Sequence, residues 1–281
     1  MTQDAAAGKH KAELAFATSL AVKAGALMLA RFEKVEHIDY KSAKDVVTEV
    51  DRLSEELIIG AIRATYPGDG IIAEESGEHP SGAGDPPTVG IGRAWVIDPL
   101  DGTINYANGI PFFCVAIALV EAGVPVVGVI HDPMRGETFA ATSGGPATLA
   151  GRPIRASVKT ALTDFVVSMA LSGRALIGRS RAVRKAVRVP RAMGSAALSL
   201  AYVGNGRFDA FVQQGGLSTW DVAAAGLIAE RGGAHLSNLE GGPWFELSQP
   251  TRTIGVLAAP PAHHAALLEL VHPAARKASE S

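Results

Sequence analysis

Hydrophobic positions near the start of the chain recur at helical spacing in two segments. From about Leu14 to Phe32, apolar residues stand three or four positions apart, which predicts an amphipathic helix. A second helix is expected to begin near Thr48, whose hydroxyl can cap its first turn, and to end at the turn sequence YPGDG. The predicted apolar face of this helix comprises Val50, Leu53, Leu57, Ile58, Ala61 and Ile62.

Short apolar runs follow, each of a length typical of a β-strand. GIIAEE and RAWVID both end in carboxylates, and the sequence SGEHPSGAGDPPTVG between them is rich in Gly, Pro and Ser, which predicts a loop. The run FFCVAIALVEAGVPVVGVIHDP predicts two strands joined in a hairpin by a glycine-containing turn. The first half of the chain is therefore expected to pack helices against a largely antiparallel sheet.

The second half begins with the turn-rich sequence GGPATLAGRPIRAS, which predicts a crossing between two lobes. Strands are expected at DFVVSMAL, RFDAFVQ and RTIGVLAA, and helices at residues 195–203, at WDVAAAGLIAERGG and at PAHHAALLELV. The sequence GRSRAVRKAVRVP predicts a basic helix with a solvated surface, and a subunit contact or a substrate-phosphate contact is the alternative.

Composition and charge narrow the class of protein. The 281 residues are 47% hydrophobic and 19% charged, which is typical of a globular α/β or α+β protein. The net charge of −2 gives no general attraction for nucleic acid or for an anionic membrane, so neither partner is expected. Without a membrane-spanning apolar run or a secretory signal, the chain is predicted to be cytoplasmic. Residues 1–10 and 274–281 are expected to be disordered.

The single cysteine, Cys114, excludes an intramolecular disulfide and a cysteine-based zinc cluster. It lies in the apolar run PFFCVAIALV, which predicts a buried and unreactive thiol. The eight histidines show no spacing typical of metal ligands, so structural or surface roles are expected for His131, His263 and His264.

Carboxylates follow apolar segments or open a helix at three places. Glu74 follows GIIA, Asp98 and Asp101 bracket Pro99 and residue 100, and Asp221 opens the helix WDVAAAGL. If these carboxylates gather at strand ends, they repel one another and need a cation. Because the chain has neither a cysteine cluster nor an HExxH helix, hard oxygen ligands point to Mg²⁺.

The sequence DPLDG can place metal and anion sites side by side. Pro99 stiffens the link, the residue after it can turn its carbonyl towards a metal, and Gly102 allows close approach of the backbone to a ligand. If a helix begins at Gly102 and Thr103, their free N–H groups provide an anion site, which favours phosphoryl chemistry.

Each of these elements also has a structural interpretation. DxxDG occurs in calcium loops and simple turns, Asp221 can be a first-turn acid of a helix, and Glu74 can be a surface residue. Asp51 stands three residues after Thr48, a spacing that suits a capping box as well as it suits metal binding.

Five ordered segments resemble the signatures of the inositol monophosphatases, which belong to a Mg²⁺-dependent, lithium-sensitive phosphatase superfamily. They are DVVTEVD, IIAEES, WVIDPLDGTINY, MGSAAL and WDVAAAGLIAERGG. The resemblance covers residues 13–272, and it implies an α+β fold of αβαβα layers. It also implies one domain with a metal-binding lobe at 13–145 and a second lobe at 146–272, assembled as a homodimer.

The resemblance further implies two or three Mg²⁺ ions per site. Glu74 and Thr103 would position the attacking water, and the N–H groups of Gly102 and Thr103 would hold the phosphate. The implied metal ligands are Glu74, Asp98, the carbonyl of Leu100, Asp101 and Asp221, with Asp51 beside a third ion. The implied substrate contacts are Asp101, Gly102, Thr103, Gly194, Ser195, Ala196, Gln214 and Asp221.

The expected activity is direct hydrolysis of a phosphate monoester, most simply inositol monophosphate or a related polyol phosphate. One departure concerns the substrate: FVQQGGLSTWD carries Gln213 and Gln214 where many family members have a glutamate. An amide both donates and accepts hydrogen bonds, so the polyol contacts can differ. The segment between Ser172 and Val189 is also short for the family.

Other substrates and another class of protein stay open. Histidinol phosphate, fructose 1,6-bisphosphate and 3′-phosphoadenosine 5′-phosphate are alternatives, and Arg174, Arg179 or Arg181 could contact a second phosphate. The alternative from another class is a non-catalytic Mg²⁺-dependent interaction protein. The sequence has no P-loop and no GxSxG, and GNGRFD lacks the third glycine of a dinucleotide site.

Overall fold

The computed structural model describes residues 9–34, 38–42, 45–79, 92–171 and 173–272. Most of the residues predicted to be disordered at the two ends, and residues 80–90 of the predicted loop, lie outside these ranges. Lys9 and His10 are described, and both contact the carboxylate of Glu121.

Two helices and a small ribbon open the described chain. Helix α1 is Lys11–Arg31, strands β1 and β2 are Ile38–Ser42 and Asp45–Thr48, and helix α2 is Glu49–Thr65. Both predicted helices are confirmed, and Thr48 caps α2 as expected. By length and composition α1 is apolar enough to cross a membrane. Its inner face is buried against α2 and the first sheet.

The first sheet has eight strands in the order β10-β9-β8-β7-β6-β5-β3-β4. They are β3 Gly70–Ala73, β4 Gly77–His79, β5 Arg93–Asp101, β6 Cys114–Glu121, β7 Val124–Asp132, β8 Glu137–Thr142, β9 Thr148–Leu149 and β10 Arg152–Pro153. β3 and β5 are parallel, and the other neighbouring strands are antiparallel. The predicted hairpin is β6 and β7.

Three short strands of this sheet occur where turns or loops were expected. β4 lies at the start of the predicted loop because it pairs with β3 across a three-residue turn. β9 and β10 lie in the predicted crossing; β9 pairs with β8 and β10 pairs with β9, so the first sheet extends past the expected lobe boundary at residue 145. Short edge pairings of this kind depend on the neighbouring strand more than on local sequence.

The second sheet has five strands in the order β12-β11-β13-β15-β14. They are β11 Val166–Ala170, β12 Val189–Arg191, β13 Ala210–Leu217, β14 His235–Ser237 and β15 Ile254–Ala259. The remaining α-helices are α3 Thr103–Ala107, α4 Ile177–Ala186, α5 Ala196–Gly204, α6 Thr219–Arg231 and α7 Pro261–Val271. The basic helix α4 ends before its predicted limit, because Val187 is extended and β12 follows.

The apolar clusters divide the molecule into five layers. α1 and α2 cover one face of the first sheet, and α5 and α6 fill the space between the two sheets. A third cluster buries the outer face of the second sheet beneath α4 and α7. The predicted α+β fold of αβαβα layers is thus confirmed. The layering brings the end of β5 beside the starts of α5 and α6.

Candidate active site

A β-bulge brings two carboxylates to one side of β5. Asp98 pairs with Ala116 and Asp101 with Cys114, so β5 carries one residue more than β6 between these pairs. In a regular strand, residues three apart point to opposite faces, and one extra residue cancels this alternation. The backbone N–H of Leu100 donates to Asp98 Oδ1 at 3.0 Å and closes the bulge. The two aspartates therefore serve one site.

The start of α5 surrounds the carboxylate of Asp101. Its Oδ2 accepts hydrogen bonds from the hydroxyl of Ser195 and from the N–H of Ala197, the latter at 2.8 Å. Its Oδ1 accepts from the N–H of Ala196 at 3.3 Å. Burial raises the pKa of Asp101, and these bonds oppose the rise. Ser195 and Ala196, predicted as substrate contacts, are thus observed to hold Asp101.

Asp221 joins the site from the first turn of α6. Its Oδ2 accepts the N–H of Ser218 at 2.6 Å, which forms half of a capping box. Burial, followed by repulsion from Asp101, raises the pKa of Asp221 to about 7. The helix-cap interpretation is therefore correct, and the same side chain also belongs to the acidic cluster described next.

One oxygen from each of Asp98, Asp101 and Asp221 lies within 4.8 Å of the others, and these three residues are called the acidic cluster. The carboxyl group of Glu74 lies close enough to Asp98 to affect its pKa. Burial, and then repulsion from Glu74 and the other two aspartates, raises the pKa of Asp98 well above its usual value. Buried carboxylates that repel one another and offer only oxygen ligands fit a hard cation. The acidic cluster can therefore hold a metal ion.

Asp51 lies on α2 and links two helices. Its Oδ2 accepts from the N–H and the hydroxyl of Thr48, at 2.8 and 2.6 Å, which completes the predicted capping box. Its Oδ1 lies 3.0 Å from the hydroxyl oxygen of Thr103, which donates to it. The same hydroxyl lies 3.0 Å from the carbonyl oxygen of Leu100. The capping role of Asp51 is thus present, together with a contact to the residue predicted to position water.

Gly102 connects the bulge to α3, and only glycine suits its position. Its φ of +97° lies in the left-handed region. A Cβ atom there would come within 3.2 Å of the side chains of Phe113 and Ser195 and within 3.1 Å of the carbonyl oxygen of Phe112. Gly102 therefore lets its own segment pack closely against the segments that contain Phe112 and Ser195, beside Asp101. This packing role adds to the predicted one of allowing a ligand to approach the backbone.

Asn105 is a site residue that the sequence reasoning missed. Its side chain is buried, and Nδ2 donates to the carbonyl oxygens of Phe112 and Met193 at 2.7 and 2.8 Å. Gly194 has a positive φ and packs directly on this amide. Asn105 thereby ties the end of the DPLDGTINY segment to the segment before α5. The signal that the sequence offered for this role was an amide side chain standing between Ile104 and Tyr106, because a buried amide needs hydrogen-bond partners.

A cavity of about 370 Å³ adjoins the acidic cluster. Asp101 and Asp221 form one wall of it, and Gly194, Ser195, Ala196, Ser168 and Gln213 are among the other lining residues. Gln214, the predicted substrate contact, is exposed outside this cavity, and its Oε1 accepts a hydrogen bond from Arg179 at 2.6 Å. Consecutive strand residues point in opposite directions, so Gln213 takes the inward place.

Cys114 is fully buried, as predicted, and burial raises the pKa of its thiol. Its Sγ lies 3.7 Å from Asp101 Oδ2, a proximity that the sequence did not indicate. The three histidines have structural contacts: His131 with Thr138, His264 with Ser237, and His263 with the carbonyl of residue 160.

Comparison with known proteins gives one consistent family. Residues 10–276 match the model described as the inositol monophosphatase family. The chain is 39% identical over 228 residues to the Nus factor SuhB of Xylella fastidiosa, which covers 78% of each chain. It is 36% identical over 233 residues to the fructose-1,6-bisphosphatase/inositol-1-monophosphatase of Thermotoga maritima, covering 81% of this chain and 85% of the relative. The crystal structure of the extragenic suppressor protein suhB from Bartonella henselae superposes with a TM-score of 0.85 at 30% identity, covering 94% of this chain and 100% of that one.

Proposed function

The chain belongs to the inositol monophosphatase family, and from this membership we propose that it hydrolyses a phosphate monoester with Mg²⁺ as cofactor. The family membership confirms the resemblance carried by the five sequence segments. The observation that supports the activity is the acidic cluster, with Glu74 against Asp98 and a cavity at its side. The proposed substrate is inositol monophosphate or a related polyol phosphate.

Five groups around the bulge are suited to hold two or three Mg²⁺ ions, with Asp51 beside the third. When bound, Mg²⁺ lowers the pKa of a coordinated water and neutralises charge on phosphoryl oxygens. The cluster aspartates are already gathered, with Asp98 and Asp101 buried and Asp221 partly buried, so little rearrangement is needed for them to act together. The proposed ligands are Glu74, Asp98, the carbonyl oxygen of Leu100, Asp101 and Asp221.

The protein's own groups prepare the water and the phosphate. Glu74 is proposed to accept a proton from the attacking water. The hydroxyl of Thr103, held by Asp51, is proposed to orient that water, and the N–H groups of Gly102 and Thr103 to bind a phosphoryl oxygen. These roles require the four residues to meet at one place, and the bulge and the contact between α2 and α3 support this.

The cavity is proposed to receive the alcohol part of the substrate. Its polar lining beyond the acidic cluster includes the hydroxyls of Ser168 and Ser199 and the amide of Gln213, which can bind neutral hydroxyl groups. This lining supports a polyol. Fructose 1,6-bisphosphate stays an alternative substrate, because the relative from Thermotoga maritima is named a fructose-1,6-bisphosphatase/inositol-1-monophosphatase. The homodimer and the cytoplasmic location stay predictions.

A second candidate function comes from the relatives named Nus factor SuhB, which are 36–39% identical to this chain. Such a role fits the non-catalytic alternative. It does not require Glu74 and Thr103 to converge on a metal site, whereas hydrolysis does. The closeness of Glu74 to Asp98, and of Thr103 to the carbonyl oxygen of Leu100, supports hydrolysis as the first candidate.

Phosphate release by the purified protein tests the proposal. Inositol 1-phosphate, fructose 1,6-bisphosphate, histidinol phosphate and 3′-phosphoadenosine 5′-phosphate are compared with Mg²⁺ and with EDTA. We expect Mg²⁺-dependent release, greatest for inositol 1-phosphate, and its loss in Asp98→Asn. Preference for another ester would replace the substrate and keep the chemistry. Absence of release from all four esters, with Mg²⁺ bound, would support the second candidate.

A further inference from the structure

One face of α2 contacts three segments of the candidate site: the start of α3, the bulge of β5 and the turn between β3 and β4. Asp51, Ser54 and Glu55 are all buried and stand at positions i, i+3 and i+4, which share a helix face. Asp51 contacts Thr103, and the hydroxyl of Ser54 donates to the carbonyl oxygen of Pro99 within the bulge at 3.0 Å. Glu55 contacts the third segment, the turn that carries Glu74.

Glu55 binds the turn between β3 and β4 through both of its carboxylate oxygens. Oε2 accepts the N–H of Glu75 and Oε1 accepts the N–H of Ser76, each at 2.9 Å. Since Ala73 pairs with Gly77, Glu74 is the first of the three residues in this turn. The side chain of Glu55 is therefore bonded to the two residues that directly follow Glu74.

The backbone on the other side of Glu74 is held by β5. The N–H of Glu74 donates to the carbonyl oxygen of Ile97 at 3.2 Å. Ile97 is the residue immediately before Asp98. Glu74 is thus held from one side by the strand that carries Asp98 and from the other by Glu55. Its carboxyl group meets that of Asp98 between these two attachments.

We propose that Glu55 is a positioning residue for the reaction, which sets the carboxylate of Glu74 beside Asp98 by bonding the turn that follows it. The inference rests on the proposed function. In this role Glu55 acts through the turn and does not itself touch the substrate or the attacking water. A turn bonded only through its own hydrogen bonds would allow Glu74 to shift, and small displacements of a catalytic group lower rates strongly.

The two bonds require a carboxylate rather than any polar side chain. Two N–H groups point at Glu55, and a carboxylate offers an acceptor to each. Glutamine has the same shape but turns an NH₂ group towards one of the two donors, so one N–H loses its partner. Glu55→Gln therefore removes one bond of the pair with little change in size.

Glu56→Gln provides the matched control. Glu56 is the next residue of α2, it is exposed, and the same chemical change there leaves the turn untouched. Both variants are compared with wild type by steady-state kinetics, by Mg²⁺ titration calorimetry, and by hydrogen exchange of residues 74–79 in EDTA. Glu55→Asp, which keeps two acceptors, is included to measure rescue.

For Glu55→Gln we expect kcat to fall about 10- to 100-fold and Mg²⁺ affinity to fall about tenfold, with KM for the ester changed much less. Amides 74–79 should exchange faster than in wild type, and Glu55→Asp should recover part of kcat. Glu56→Gln should match wild type in every measurement.

Equal kcat and equal exchange in Glu55→Gln and Glu56→Gln would overturn the inference. So would a lowered melting temperature in Glu55→Gln with unchanged kcat below that temperature, because Glu55 would then serve stability alone. If wild type releases no phosphate, the proposed function fails. The exchange and calorimetry would then still decide whether Glu55 fixes the turn and the metal-binding position of Glu74.

Discussion

Thr103 Oγ1 lies 3.0 Å from Asp51 Oδ1, so a hydroxyl at the start of α3 is held by a buried carboxylate of α2. The same carboxylate caps α2 through Thr48. Burial raises the pKa of Asp51, while the bonds from Thr48 and Thr103 counteract the rise. One side chain therefore stabilises a helix and orients a proposed catalytic group.

Replacing Thr103 tests that orientation. Thr103→Ala removes the hydroxyl, and we expect kcat to fall about 100-fold while Mg²⁺ still binds. Thr103→Ser keeps the hydroxyl and should retain most of the activity. Equal losses in both variants would show that the methyl group, rather than the bond to Asp51, matters. Steady-state kinetics with inositol 1-phosphate, at saturating Mg²⁺, make the comparison.

Asp98→Asn should change the pH dependence of stability in EDTA. The pKa of Asp98 is raised in the folded protein, chiefly by burial and then by repulsion from Glu74. The folded state then binds more protons than the unfolded state, so the free energy of unfolding falls as pH rises above the usual carboxyl range. Asparagine has no proton to lose at this position.

Thermal unfolding from about pH 5 to about pH 8 checks this sign. The melting temperature of Asp98→Asn, relative to wild type, should increase as pH rises. Excess Mg²⁺ at the upper pH should reverse the order, because it stabilises the protein that binds it more tightly. A difference that is independent of pH would contradict the raised pKa of Asp98.

Gly102→Ala should destabilise the protein more than Gly123→Ala. Both glycines have positive φ, at +97° and +78°, so each substitution carries a conformational cost of about 1–2 kcal/mol. A Cβ at Gly123 meets no atom within 4 Å, whereas at Gly102 it crowds Phe112, Phe113 and Ser195. Crowding should add about 1–3 kcal/mol at Gly102.

Urea unfolding of the two glycine variants measures that difference. Gly102→Ala should also lose activity, because a shift of Ser195 disturbs the hydrogen bonds to Asp101. Gly123→Ala lies in the β6–β7 turn and should keep wild-type kcat. Equal unfolding free energies for the two variants would indicate that the segments around Gly102 move apart for the added Cβ without loss of stability.

Cys114 should resist thiol reagents in the folded protein. Its side chain is fully buried, and burial raises the pKa of the thiol, so little thiolate forms. Ellman's reagent should detect no thiol in the native state and one per chain in guanidinium chloride, since the chain has a single cysteine. Rapid native reaction would contradict the observed burial and would be expected to disturb Asp101.

Gln213 and Gln214 should differ in their effect on the substrate. Gln213 lines the cavity, so Gln213→Ala should raise KM for inositol 1-phosphate about 2- to 10-fold through the loss of one hydrogen bond. Gln214 lies outside and bonds Arg179, so Gln214→Ala should change KM less. The opposite ranking would restore Gln214 as the substrate contact.

Local elements follow from the sequence because their signals are local. The apolar spacing predicts α1 and α2, the glycine turn predicts the β6–β7 hairpin, and Thr48 with Asp51 predicts a capping box. The five family segments also identify the acidic residues of the site. Each signal lies within a few tens of residues, so neither the packing of distant elements nor their register is needed to read it.

The tertiary structure decided how these residues meet. Sequence spacing would place Asp98 and Asp101 on opposite faces of a strand, and pairing with β6 creates the bulge that reunites them. Packing of α2 against the strand ends gives Glu55 its contact with the turn after Glu74. The face of β13 that packs towards the cavity carries Gln213 rather than Gln214. These relations join residues that are distant in the chain, and they exist only once separate layers have packed in one register.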